Sequence, residues 1–177
     1  CEKYLKSNPG KPLIQCEYSH AMGNSNGNFK EYWDLIRKYP LYQGGFIWDF
    51  EDQAIYKKVD PARYGTDHIF IYGGDSNDYD ASDGSFNCNG FVAADRKWHP
   101  QAYEIRYQHR SILTSIDEKS SALTDKLMDD DTECKVKVYN ENFFIDLSRY
   151  RMIWTIEVGG ENALSGVVEN VSAAPGE

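Results

Sequence analysis

The chain of 177 residues carries 19 Lys and Arg against 28 Asp and Glu, a formal charge of −9. So acidic a balance disfavours nucleic acid and anionic membrane as partners. No apolar run approaches the ~18 residues of a membrane helix, and the opening residues have no signal-like pattern. With 41% hydrophobic and 14% aromatic residues the chain can build a core, which excludes wholesale disorder.

The sequence begins mid-pattern on Cys1-Glu2-Lys3-Tyr4-Leu5 without an initiator Met, and is expected to be a segment of something longer. Four widely spaced cysteines (Cys1, Cys16, Cys88, Cys134) form no C-x-x-C pair. That spacing argues against structural zinc and a disulfide framework, and buried free thiols are expected.

In chain order, Cys1 to Lys6 reads as the tail of a helix stopped by Asn8-Pro9-Gly10. Lys11 to Cys16 reads as a buried strand that delivers Glu17 at its tip and passes into a Gly/Asn/Ser loop. Asn28 and Glu31 have capping-box spacing, and Phe29, Tyr32, Trp33 and Ile36 form the i, i+3, i+4, i+7 stripe of an amphipathic helix ended by Pro40. Tyr42 to Phe50 is a second strand, its glycines allowing close backbone approach. The interval from Glu17 to Tyr42 suits a right-handed β-α-β crossover, one sector of a larger parallel wheel.

Residues 51–100 read as a long, packed loop, rich in Gly, Asp and Asn. Its acidic triplet Asp78, Asp80 and Asp83 fails the calcium-loop pattern, because Asp83 stands where the glycine belongs and Asn89 where the bidentate Glu belongs. Gln101 to Arg110 reads as a helix. Beyond a boundary near residue 110 the period changes to two, over 134–139 and 150–158, with a further strand expected over 167–171. The acidic segment Asp117 to Glu133 reads as a solvated loop. Short alternating strands suggest an antiparallel sandwich.

Glu17 is the residue with the strongest chemical case. Glu17-x-x-His20 is half a di-iron motif only on a helix, and these residues read as strand and loop. A Ser19-His20 nucleophile has no G-x-S-x-G elbow. A carboxylate expected to share a rim with His20, Asn24 and Trp48 suits a sugar: indole stacks on a pyranose, His and Asn bond its hydroxyls, and the carboxylate attacks the anomeric carbon.

The ordered set Cys16-Glu17-Tyr18-Ser19-His20-Ala21-Met22-Gly23-Asn24, Gln43-Gly44-Gly45-Phe46-Ile47-Trp48-Asp49-Phe50 with Asp52-Gln53, Tyr72-Gly73-Gly74-Asp75, Asn89-Gly90, Asp95-Arg96 and His99-Pro100 resembles glycoside hydrolase family 2, in particular its β-galactosidases. The resemblance implies that residues 1–110 are the C-terminal part of a TIM (β/α)8 barrel, its last two strands. It makes 111–177 an immunoglobulin-like β-sandwich, complete or partial. Glu17 then matches the catalytic nucleophile at the end of strand seven. His20 matches a ligand of the galactosyl hydroxyls, and Trp48 a wall of the galactose site on strand eight. Asn89 and the Phe86 backbone carbonyl match part of a Na+ site near the sugar 6-hydroxyl, whose remaining protein ligand is not in this chain.

The same resemblance puts the acid/base glutamate and the Mg2+ ligands outside these 177 residues, so the chain alone is expected to be inactive. It implies a lactose-like β-galactoside and the remaining segments of the parent enzyme as partners, and leaves a homo-oligomer open. Alternative readings are a family member acting on another sugar (β-glucuronidase, β-mannosidase) or a non-catalytic carbohydrate-binding module. Glu17 is expected to be ionised and to accept hydrogen bonds. Strand edges and an apolar barrel interior are expected to lie uncovered. The protein is expected to be soluble, with cytoplasm and periplasm both open.

Overall fold

The computed structural model describes residues 1–116 and 134–177, so the loop expected over 117–133 lies outside the described residues. The chain divides into two compact units, Cys1–His109 and Arg110–Glu177. No helix among the described residues is long and apolar enough to cross a membrane.

The first unit starts with a short helix α1 (Glu2–Lys6). Strand β1 (Leu13–Tyr18), helix α2 (Phe29–Lys38) and strand β2 (Tyr42–Ile47) follow, and the two strands pair in parallel. The apolar stripe explains α2: Phe29 is buried, and Tyr32 and Trp33 pack against the same cluster. That cluster centres on Tyr18, Phe29 and Ile105, the last from helix α4 (Pro100–Gln108), and Ile47 and Phe91 close it. Burying Phe29 alone stabilises the unit by about 1.5–3 kcal/mol. The Tyr32 ring meets Tyr18 edge-on, 5.0 Å between centroids. Glu2 fastens α1 to the end of α2. Hydrogen bonds from Lys38 and the Tyr39 hydroxyl hold its carboxyl down to about 2.

The capping box expected at Asn28 does not form. Asn28 takes a left-handed conformation (φ 60°) and its carbonyl, not its side chain, accepts the Glu31 N–H at 3.2 Å. A left-handed residue turns its side chain away from the first helical turn, so Asn here satisfies the turn rather than the cap.

The register of β1 against β2 is irregular. Leu13 pairs with Tyr42, Gln15 with Gly45 and Tyr18 with Ile47. Cys16 and Glu17 therefore stand opposite the single residue Phe46, a bulge that breaks the period of two. Tyr18 consequently turns into the core while Glu17 stays exposed. Gly45 permits the close approach: a Cβ there would sit 2.9 Å from the Tyr18 ring and 3.0 Å from Gln15 Cβ. The Tyr42 hydroxyl donates to Gln15 Oε1, and burial pushes that phenol up to about 12. Tyr42 is thus a neutral donor at any physiological pH.

β1 ends because Ser19 adopts φ 50°, an unfavourable region for a residue with a Cβ. The Asn26 side chain donates to the Ser19 carbonyl at 2.7 Å and holds the turn.

Residues 51–100 are more ordered than their composition predicts. Strands β3 (Ile55–Lys58) and β4 (His68–Ile71) form an antiparallel hairpin. Its connection contains a one-turn helix α3 (Pro61–Tyr64), where Asp60 caps the Ala62 N–H at 3.0 Å and Pro61 opens the turn. Tyr56, His68 and Phe70 share one face: Tyr56 stacks on His68, and Phe70 meets both rings edge-on. In the acidic part, Asn77 accepts the Tyr79 and Asp80 N–H groups, and among the described residues no group of acids, His and Cys could hold a metal. The thiols are free as expected but not buried: Cys1, Cys16 and Cys134 are exposed and only Cys88 is partly covered.

The second unit is all-β. Strand β5 (Ile112–Ile116) pairs antiparallel with β6 (Val136–Asn140), and β7 (Met152–Val158) with β8 (Glu161–Val168). β5 was not foreseen, and the strand expected at 167–171 lies earlier. Its hub is the fully buried Asn140. Asn140 Nδ2 donates to the Ile145 and Ala173 carbonyls at 2.8 and 3.0 Å, and Oδ1 accepts from the Asn142 N–H. All side-chain capacity is used, so it is stabilising despite its burial.

Gly90 is wedged so tightly that a Cβ would lie 2.3 Å from Asp52 N and 2.4 Å from the Glu51 carbonyl carbon. Backbone cannot swing aside as a side chain can. Chemical denaturation should therefore show Gly90→Ala less stable by about 1–3 kcal/mol, whereas Gly27→Ala, with open space around it, should change stability by less than about 0.5 kcal/mol. Ser19→Val should cost about 1–3 kcal/mol through its positive φ and Ser19→Gly should not, as read in the same melts. Asn140→Ala should lower the stability of the second unit by about 1–3 kcal/mol for each carbonyl left buried without a donor.

Candidate active site at the strand tips

The tips of β1 and β2 are laced together by main-chain bonds. The Trp48 N–H donates to the Tyr18 carbonyl at 3.3 Å, and the Ala21 N–H donates to the Trp48 carbonyl at 2.7 Å. These two bonds tie the end of β1, which carries Glu17, to the segments holding His20 and Trp48, at the C-terminal end of the parallel pair. The peptide between Trp48 and Asp49 is cis. Glu17 and Trp48 are exposed, and His20 is half-buried.

A third segment closes the rim from below. The Asp49 N–H donates to the Asn89 carbonyl at 2.7 Å, and the Phe91 N–H returns to the Asp49 carbonyl at 3.1 Å. The Val92 N–H continues the run to the Phe50 carbonyl at 3.0 Å. Asn89 is 2% exposed. Its Nδ2 donates to the Phe86 carbonyl, while its Oδ1 is buried without a partner. The Phe86 ring lies 5.8 Å from the His20 ring. His20, Trp48, Phe86 and Asn89 are thus joined by ring and main-chain contacts next to Glu17 at the end of β1, while Asn24, also expected on this rim, stands exposed on the loop after His20.

The donors expected around Glu17 are a different matter. No side chain or backbone group among the described residues donates to its carboxylate, which stands exposed.

Sequence reasoning passed over the residues that hold the rim. Asp52 accepts the Gly90 N–H at 2.9 Å with Oδ1 and meets His99 Nε2 at 2.8 Å with Oδ2. Gln53 donates to Asp49 at 2.7 Å, and Gln101 donates to the Gly23 carbonyl at 2.7 Å, fastening the loop after His20 to the start of α4. Burial, and then the field of Asp52, push the neighbouring Cys88 thiol up, so it is a neutral neighbour. The motif fragments Asp52-Gln53 and His99-Pro100 were the available signal, but nothing in their spacing says that they meet.

Comparison with known proteins places this geometry. Residues 1–114 match the model of the glycosyl hydrolases family 2, TIM barrel domain. A protein named beta-galactosidase from Clostridium acetobutylicum is 38% identical over 176 residues, 99% of this chain and 17% of the relative. Proteins of the same name from Halalkalibacterium halodurans and Streptococcus thermophilus are 43% identical over 155 residues and 39% identical over 173. These alignments cover 88% and 98% of this chain but only 13% and 15% of the relatives. The chain therefore spans about a sixth or less of the length of these relatives. The parallel pair, the crossover helix and the matched residues lead to one conclusion: the chain belongs to glycosyl hydrolase family 2, with residues 1–114 in its TIM barrel domain.

Proposed function

We propose that the chain carries the nucleophile side of the active site of a retaining β-galactosidase that removes terminal non-reducing β-D-galactose. The observation that carries the reading is the convergence of Glu17, His20 and Trp48 at the C-terminal end of a parallel strand pair, through the two main-chain bonds of Trp48. That end of such a sheet is where barrel enzymes build their sites. The relatives' shared name supplies the sugar.

In this mechanism the Glu17 carboxylate attacks the anomeric carbon and forms a glycosyl ester as the aglycone leaves. Exposed and unpaired, it is free to approach the ring. His20, steadied against Phe86, bonds the sugar hydroxyls, and Trp48 offers its indole as an apolar wall. Water then hydrolyses the ester. Protonation of the leaving group and activation of that water require a second carboxylate about 5–5.5 Å from the first, and we assign it, with the Mg2+ ligands, to residues outside this chain. The fragment by itself is then inactive.

A monovalent cation fits the chemistry of Phe86 and Asn89. Hard cations take oxygen ligands, and Asn89 Oδ1 is a buried oxygen with no other partner, next to the Phe86 carbonyl. A Na+ held there would anchor the sugar 6-hydroxyl, and another oxygen ligand from outside the chain would complete it. The second unit, with its two antiparallel pairs, is assigned to an immunoglobulin-like sandwich that follows the barrel. Another family 2 sugar specificity is the competing reading.

In the full-length polypeptide, Glu17→Gln should lower kcat on nitrophenyl β-galactoside by at least about 10³-fold and leave the thermal midpoint unchanged. A 2-fluoro-galactoside with a good leaving group should add one sugar to the wild type, and peptide mass spectrometry should find it on Glu17. Label on another carboxylate defeats the nucleophile assignment. Faster turnover of a glucuronide or mannoside than of the galactoside defeats the choice of sugar.

A further inference from the structure

The Asn89–Gly90 peptide is held at both ends. Its carbonyl accepts the Asp49 N–H at 2.7 Å, and its N–H donates to Asp52 Oδ1 at 2.9 Å. Rotation of that peptide plane would break both bonds, and Asn89 is too deeply buried to find water instead. Asp52 is itself oriented: Oδ2 meets His99 Nε2 at 2.8 Å, and the Asp52 N–H donates to the Val92 carbonyl at 2.9 Å. His99 is fixed in turn by its N–H to the Phe91 carbonyl at 3.1 Å, immediately before Pro100 opens α4.

We propose that Asp52, oriented by His99, is a positioning residue that sets the Asn89 amide at the sugar-binding rim. The inference rests on the place proposed above for Asn89, beside the sugar 6-hydroxyl. A carboxylate suits the place because two acceptor oxygens are needed in two directions, one toward the Gly90 N–H and one toward the imidazole. Gly90 suits it because no side chain fits between that N–H and the backbone of Glu51 and Asp52. Asp52 makes no contact with the rim residues Glu17, His20 or Trp48 among the described bonds. Its effect reaches the substrate through the Asn89 peptide, at the corner that faces the 6-hydroxyl.

A purely structural role would weaken every substrate alike, whereas a positioning role acts on one hydroxyl. The test is therefore a comparison, in the full-length polypeptide, of nitrophenyl β-galactoside with nitrophenyl β-D-fucoside, which lacks the 6-hydroxyl. Asp52→Ala should lower kcat/KM on the galactoside by roughly 100-fold and on the fucoside by less than about fivefold, so discrimination between the two shrinks. Asp52→Asn, which keeps an acceptor for the Gly90 N–H, should recover most of the loss. In an Asn89→Ala background Asp52→Ala should no longer alter the discrimination. If Asp52→Ala does not fold, His99→Gln carries the test, since it frees one carboxylate oxygen and should reduce discrimination in the same direction. Equal losses on both substrates, or additive effects with Asn89→Ala, overturn the inference and leave the β-galactosidase reading standing. A wild type inactive on both substrates overturns the reading and the inference with it.

Discussion

The site depends on the place where two residues of β1 face one residue of β2. In a regular strand Cys16 and Tyr18 would share one face, and Gln15 and Glu17 the other. Here Gln15 pairs with Gly45 and Tyr18 with Ile47, so Cys16 and Glu17 both bulge past Phe46. The consequence is a division of labour between neighbours. Tyr18 enters the aromatic cluster with Phe29 and Tyr32, while Glu17, one bond away, stands in the open. A slip of one residue in this register would exchange them, burying a carboxylate and exposing the core tyrosine. Packing of Tyr18 and placement of Glu17 are therefore one constraint, enforced by the same core that anchors α2 and α4.

From that fixed point the rest is transmitted by backbone hydrogen bonds rather than by side-chain packing. Trp48 is stitched to Tyr18 and Ala21, Asp49 to Asn89 and Phe91, and Phe50 to Val92. Each segment after β2 is registered on the one before it, like strands that never lengthen into a sheet. Main-chain bonds carry no sequence information, so the chain can leave the Glu17 and Trp48 side chains exposed and His20 half-buried while backbones are spent on one another. The arrangement also explains why polar side chains cluster behind the rim. Irregular backbone at a strand tip leaves N–H groups without sheet partners, and carboxylates such as Asp52 satisfy them.

What could be read from the sequence follows the range of each interaction. The parallel pair and α2 were legible, because an apolar run and an i, i+3, i+4, i+7 stripe are local signals of burial. Glu17 was legible as a charge at the end of such a run. The β3–β4 hairpin was not: each strand has only four residues, and a one-turn helix replaces the two-residue turn that marks a hairpin. Asn28 misled because Asn serves both as a cap and as a left-handed turn residue, and only the backbone decides between them. The exposed thiols misled because Cys16 sits in the bulge, where period-two burial fails. Asp52 and His99 are separated by 47 residues, and no periodicity connects them. The side chains proposed for the rim lie in the matched motifs; the residues that hold them could not be assigned a role from the sequence.

The apolar surface opposite α2 has a meaning in the same terms. Strands of a parallel barrel are covered on both faces, by helices outside and by side chains within. α2 covers one side of the β1–β2 pair, whereas Ile14, Phe46, Trp48 and Phe50 remain exposed among the described residues. In water such a face destabilises the folded pair; on the reading proposed above it would form the inner wall of a family 2 barrel domain. In the proposed enzyme Glu17 would then lie where that wall meets solvent. The nucleophile role proposed for Glu17 would need that position. Deeper in the wall, desolvation would favour its protonated form and blunt the nucleophile. Farther out, bulk water would screen the field with which it steadies a developing oxocarbenium ion. The bulge sets how far along the strand the carboxylate lies, and so selects between those two failures.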